Sequence, residues 1–134
     1  MAWSPEDEQT VRRLMAERSP QDEWLRGHAD RLGAMFAGWD LWSCWFLRPD
    51  GKVIIVGEDM DTPESESMYS DRRHTLTALS LASRLYPELA WLLPVREPGA
   101  VDCVCVGHPR VFGPGKVICQ WCGGVGWLPS QKQA

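Results

Sequence analysis

The chain has 134 residues, 44% of them apolar and 24% charged, with a formal net charge of −4, the balance of one ordinary globular domain. No stretch approaches the roughly 20 apolar residues that span a bilayer, the N-terminus lacks the basic start and apolar run of a secretory signal, and no basic stripe is available to hold a phosphate backbone. These features predict a cytoplasmic domain without membrane contact and disfavour nucleic acid as a partner. The eight tryptophans are expected mostly in the core, with some as surface anchors.

Ser4-Pro5-Glu6-Asp7 reads as a hydroxyl N-cap, a proline at the first helical position and acids in the first turn. It opens a short docking helix with Val11, Leu14, Met15 and Arg18 on one stripe. Ser19-Pro20-Gln21-Asp22 repeats the signal, and Trp24, Leu25, His28, Leu32, Met35, Phe36 and Trp39 follow at helical spacing, so a second helix is predicted over roughly 20–37. The period then changes. Leu41 to Leu47 and Val53 to Val56 are near-continuous apolar runs joined by Arg48-Pro49-Asp50-Gly51, the chemistry of an antiparallel hairpin with cover on both faces.

Residues 58–71 hold Glu58, Asp59, Asp61, Glu64, Glu66 and Asp71 and no basic residue, which reads as an acidic loop. Ser70 or Asp71 caps a third helix to about Tyr86, with Ala78, Leu81, Ala82 and Leu85, then Leu89, as its buried face. Glu97-Pro98-Gly99 is a linker. The resulting fold class is α+β: two N-terminal helices, a central antiparallel β-hairpin or small sheet, a third helix and a C-terminal zinc-stapled β-hairpin. The expected division is a body over 1–100, a zinc-binding module over 101–129 packed on it, and a disordered tail over 130–134.

The module rests on Cys103-Val-Cys105 and, after 13 residues, Cys119-Gln-Trp-Cys122. Two close thiol pairs are the donor set of one structural Zn²⁺ per chain, with all four cysteines as ligands and no position open for catalysis. In a strand Cys103 and Cys105 would face one side, and arms over 101–106 and 116–119 would pair to bring the two thiol pairs together. The alternatives are buried thiols or a redox pair, and His108 in place of one cysteine. Cys119-Gln-Trp-Cys122-Gly-Gly124-Val-Gly126 resembles one repeat of the DnaJ-type cysteine-rich zinc domain, CxxCxGxG, and Cys103-Val-Cys105-Val-Gly107 is similar to a shortened one. The resemblance covers residues 103–126 and implies zinc on all four cysteines. The other repeats and the His-Pro-Asp motif of the family's helical domain are missing.

His28 and His74 are read as hydrogen-bonded core histidines and Cys44 as a small buried hydrophobe. The acidic loop lacks the glycine and terminal glutamate of an EF-hand. Without a nucleophile and base, a phosphate loop or an open metal site, the expectation is a non-enzymatic protein-binding protein, an adaptor or an inhibitor of immunity type. It would meet a basic protein partner through Glu58, Asp59, Asp61, Glu64 and Glu66 and through Trp121 and Trp127, where Trp127 and Trp121 are alternatively locks of the module against the body. The rival expectation is a factor of nucleic-acid machinery using the zinc module with Arg110 and Lys116.

Overall fold

In a computed structural model, residues 3–40, 43–57, 65–113 and 116–129 are described. The fold is α+β. Helix α1 (Pro5–Glu17) starts with the predicted cap: the Asp7 amide donates to Ser4 Oγ at 3.1 Å and the Ser4 amide to Asp7 Oδ2 at 3.0 Å, a reciprocal box that satisfies two orphan donors.

Helix α2 (Glu23–Leu32) is shorter than the sequence predicts, because Asp22 is its N-cap and Gly33 closes it in the left-handed region at φ 62°. Strand β1 (Met35–Asp40) takes the residues assigned to the end of that helix. Met35 and Ala37 enter one core and Phe36 the other. A strand covered on both faces is apolar at consecutive positions, which also satisfies a helical stripe.

Strands β1, β2 (Ser43–Leu47), β3 (Val53–Gly57) and β4 (Ser65–Tyr69) form an antiparallel meander in sequence order. The Arg48 to Lys52 loop behaves as predicted, with the Gly51 amide on Arg48 O at 3.0 Å and Gly51 at φ 87°. Strand β4 corrects the loop assignment over 58–71: it is an edge strand, Ser65 to Tyr69, whose side chains are mostly exposed. Residues 58–64 lie outside the described residues.

The two sheet faces hold separate cores. Trp45, Leu47 and Val53 pack with Val11 and Leu14 of α1 and with Ala78, Leu79, Leu81 and Ala82 of helix α3 (Arg72–Leu85). Cys44, Phe46, Ile54 and Val56 pack on Ala29, with Leu25 and Leu32 alongside. Cys44 is buried as expected. Leu85, predicted buried, is half exposed, since the chain leaves the helix at Tyr86 for a 3-10 turn (Pro87–Leu92) whose Leu89 fills the core instead.

The tryptophans also depart from expectation. Among those described, Trp45 and Trp127 are buried, whereas Trp24, Trp39, Trp91 and Trp121 are exposed. Trp3 latches the N-terminus to the β2–β3 loop through an Nε1–H bond to Pro49 O at 2.6 Å. No helix among the described residues is long and apolar enough to cross a membrane.

Candidate metal centre

The C-terminal module is organised differently from a hairpin of the two cysteine arms. Strand β5 (Val101–Asp102) pairs antiparallel with β6 (Trp127–Leu128), not with residues 116–119. The strand ends before the first thiol, and Val104–Gly107 is a 3-10 turn with the Val106 amide on Cys103 O at 3.0 Å. Cys103 and Cys105 therefore reach a common centre by a tight turn, not by the i,i+2 geometry of a strand. The chain after Cys122 returns to β5, and the Cys103 amide donates to Gly126 O at 3.0 Å.

All four thiols converge. The Sγ atoms of Cys103, Cys105, Cys119 and Cys122 lie within 4.8 Å of one another, with Cys103 to Cys119 at 3.7 Å and Cys105 to Cys122 at 3.6 Å. Four thiolates about 2.3 Å from a tetrahedral ion stand ~3.8 Å apart, so the donor set fits one metal ion. Cys103, Cys119 and Cys122 are buried and Cys105 half-buried. His108 is not part of the group: its side chain is exposed and its amide closes the turn on Cys105 O at 3.0 Å.

The surroundings favour thiolate at one cysteine more than at the others. Burial pushes the Cys103 and Cys105 thiols up, and the neighbouring cysteines hold Cys105 higher still. Burial acts the same way on Cys119, but the amides of Cys122 and Trp121, with the thiols of Cys103 and Cys105, outweigh it and hold that thiol below its usual value. Backbone N–H groups aimed at sulfur stabilise the anion that binds metal. The Gly126 amide adds a bond to Cys122 Sγ at 3.3 Å.

Helix α3 carries the module on one stripe. Ser80 Oγ donates to Gly123 O at 2.6 Å, and Arg84 donates to Lys116 O at 2.6 Å. A Cβ on Gly123 (φ 68°) would stand 2.2 Å from Leu76 Cβ, and one on Gly124 (φ 89°) 2.7 Å from Ser80 Oγ. The glycines after the second thiol pair are thus needed both for left-handed backbone and for contact with the helix. From the other side Gln120 Nε2 donates to Asp40 Oδ2 at the end of β1, at 3.1 Å. Ile118 belongs to the main core, so the cysteine cluster is joined to the body by buried packing.

The remaining predicted site residues are dispersed. Glu58, Asp59, Asp61 and Glu64 lie outside the described residues. Glu66 on β4 is ion-paired to Arg31 on α2, which holds its carboxyl below the usual range. Trp121 is 69% exposed with the Arg73 guanidinium 5.3 Å from its ring centre. Trp127 is buried, with the Arg72 guanidinium 5.5 Å from its ring centre.

Lys116 is engaged in its own loop through Pro109 O, and Arg110 is exposed. His28 packs on Trp24 and bonds Arg31, and His74 Nδ1 lies 2.7 Å from Asp71 Oδ1, so both histidines have hydrogen-bond partners, but both are half-buried at the surface of the core and not within it. The two arginines set over tryptophans escape sequence reasoning, since Arg72-Arg73 at a helix start reads as solvated charge. Compared with protein-family models, with curated proteins and with solved structures, the chain matches none.

Proposed function

We propose that the four cysteines hold one structural Zn²⁺ and that the protein is a non-enzymatic protein-binding element whose zinc staple presents the Trp121 face. The observation that carries this reading is the contrast within the Cys119 to Cys122 knuckle. Its two thiols are 5% and 1% exposed, while the tryptophan between them is 69% exposed. An exposed indole on a rigid, metal-closed turn is the kind of preorganised aromatic anchor that dominates protein interfaces.

Four sulfurs fill a tetrahedral sphere, so the metal supplies folding energy and no open coordination position. The likeness of residues 119–126 to a DnaJ-type zinc repeat supports the same metal. The test has two readouts. Metal analysis of purified protein is expected to give about one zinc per chain, lost on Cys119→Ser/Cys122→Ser. Dodecapeptides selected from a random displayed library on the zinc-loaded protein are expected to bind, and to bind far more weakly to Trp121→Ala. Absence of zinc removes the staple, and absence of any selected peptide removes the binding role.

A further inference from the structure

We propose that Arg72, Arg73 and Trp121 form a docking surface for an acidic segment of a protein partner. The inference rests on the protein-binding reading above and adds the charge of what the surface takes.

Most described arginines already have a carboxylate. Arg12 faces Glu8, Arg13 Glu17, Arg18 Glu88, Arg31 Glu66, Arg48 Asp50 and Arg96 Asp102. Arg72 and Arg73 face none among the described residues and are set instead over the rings of Trp127 and Trp121. A guanidinium held over an indole keeps its charge, and its N–H edge is oriented before a ligand arrives, the geometry that takes a carboxylate in a fork. Both arginines are placed by the first turn of α3, and both indoles by the stapled module.

Beside Arg73 a notch of about 50 Å³ opens between helix and knuckle, lined by Arg73, His74, Thr77 and Gln120. Its size suits one carboxylate group. The neighbouring acids are already engaged: Asp71 accepts from the His74 amide and contacts the His74 ring, and Asp40 accepts from Gln120. Among the described residues neither carboxylate is ion-paired to Arg72 or Arg73.

The charge of the whole chain decides between acidic partners. Residues 72–134 carry seven Lys and Arg against three acids, whereas residues 1–71 carry seven against fifteen. Four thiolates with Zn²⁺ remove two charges from the basic half and leave it positive. A long polyanion would extend from this small patch onto a strongly acidic remainder and be repelled, while a short acidic peptide would not. The geometry therefore points to a protein segment in preference to nucleic acid.

The experiment uses the same displayed dodecapeptides on the zinc-loaded full chain, with binding of the synthesised peptides measured by fluorescence anisotropy. The expected winners are rich in Asp and Glu, weaken as salt rises, and lose at least tenfold in affinity for Arg72→Gln/Arg73→Gln at unchanged zinc content. Replacing their Asp and Glu by Asn and Gln should cost as much on the wild-type protein, a readout that does not depend on the variant folding. Peptides without acidic excess, or acidic peptides indifferent to both changes, overturn the proposal. Peptides lost on Trp121→Ala but indifferent to the arginines overturn the charge assignment alone and leave the protein-binding reading standing. A ten-nucleotide thymidine strand that binds more tightly than the peptides assigns the surface to nucleic acid and overturns it as well.

Discussion

Gly123 meets Leu76 so closely that a Cβ on the glycine would lie 2.2 Å from the Cβ of the leucine. This contact seats the Cys119 to Cys122 knuckle on helix α3, and it excludes every side chain larger than hydrogen. Gly123→Ala therefore faces two penalties, left-handed backbone at ~1–2 kcal/mol and overpacking at ~1–3 kcal/mol. Chemical denaturation should show a loss of about 2–5 kcal/mol, the sum of those two costs. Gly107→Ala, where nothing lies within 4 Å, should change stability by less than about 0.5 kcal/mol.

The two tryptophans of the module should separate cleanly. Trp127 is 6% exposed and Trp121 69%. Trp127→Ala is expected to cost about 3–5 kcal/mol, as for other buried aromatics. Trp121→Ala should cost no more than about 1 kcal/mol, the scale of its cation–π contact with Arg73. Thermal or urea unfolding of the two variants measures the contrast, and equal losses would refute a buried lock beside an exposed anchor.

Removal of metal should be felt throughout the fold. Zinc in isolated fingers contributes ~10–16 kcal/mol, and Ile118, one residue before Cys119, belongs to the main core. A strong chelator, or Cys119→Ser/Cys122→Ser, is expected to lower the melting midpoint of the whole chain and alter the emission of buried Trp127. An unchanged midpoint would mean that the staple is independent of the body.

Asp71 links acid to helix α3. Burial raises its carboxyl, but bonds from the His74 ring and amide outweigh this and hold it below the usual value. A carboxyl lowered in the fold contributes stability that is present at neutral pH and lost as pH falls through the folded value, below about 4. Asp71→Ala removes the N-cap and should cost about 1 kcal/mol at pH 7. The gap between wild type and Asp71→Asn should narrow as pH drops below about 4; a gap independent of pH would show that the carboxylate charge plays no part.

Local chemistry made much of the molecule legible. The Ser4 cap, the cap expected at Ser70 or Asp71 and found at Asp71, the Pro49-Asp50-Gly51 turn and the two apolar runs around it each act within a few residues of chain. The end of α2 was obscured because Met35, Phe36 and Ala37 are buried on both faces of a strand, which imitates a helical stripe. Strand β4 was hidden for the opposite reason: a mostly exposed edge strand, Ser-Glu-Ser-Met-Tyr, has no apolar alternation to read.

By itself the sequence picked out the four thiols that converge, because two close pairs of cysteines are a chelating pattern, and it determined the α+β class through its caps, turns and periods. Only the tertiary structure decided how the thiols meet. Cys103 and Cys105 converge through a 3-10 turn, and β5 pairs with β6 beyond the knuckle. Tertiary packing also decided which indole is buried and which arginines stand over indoles. Those outcomes depend on α3 and the module touching across some forty residues of chain, as Ser80 touches Gly123, and no local periodicity encodes a contact between surfaces that far apart.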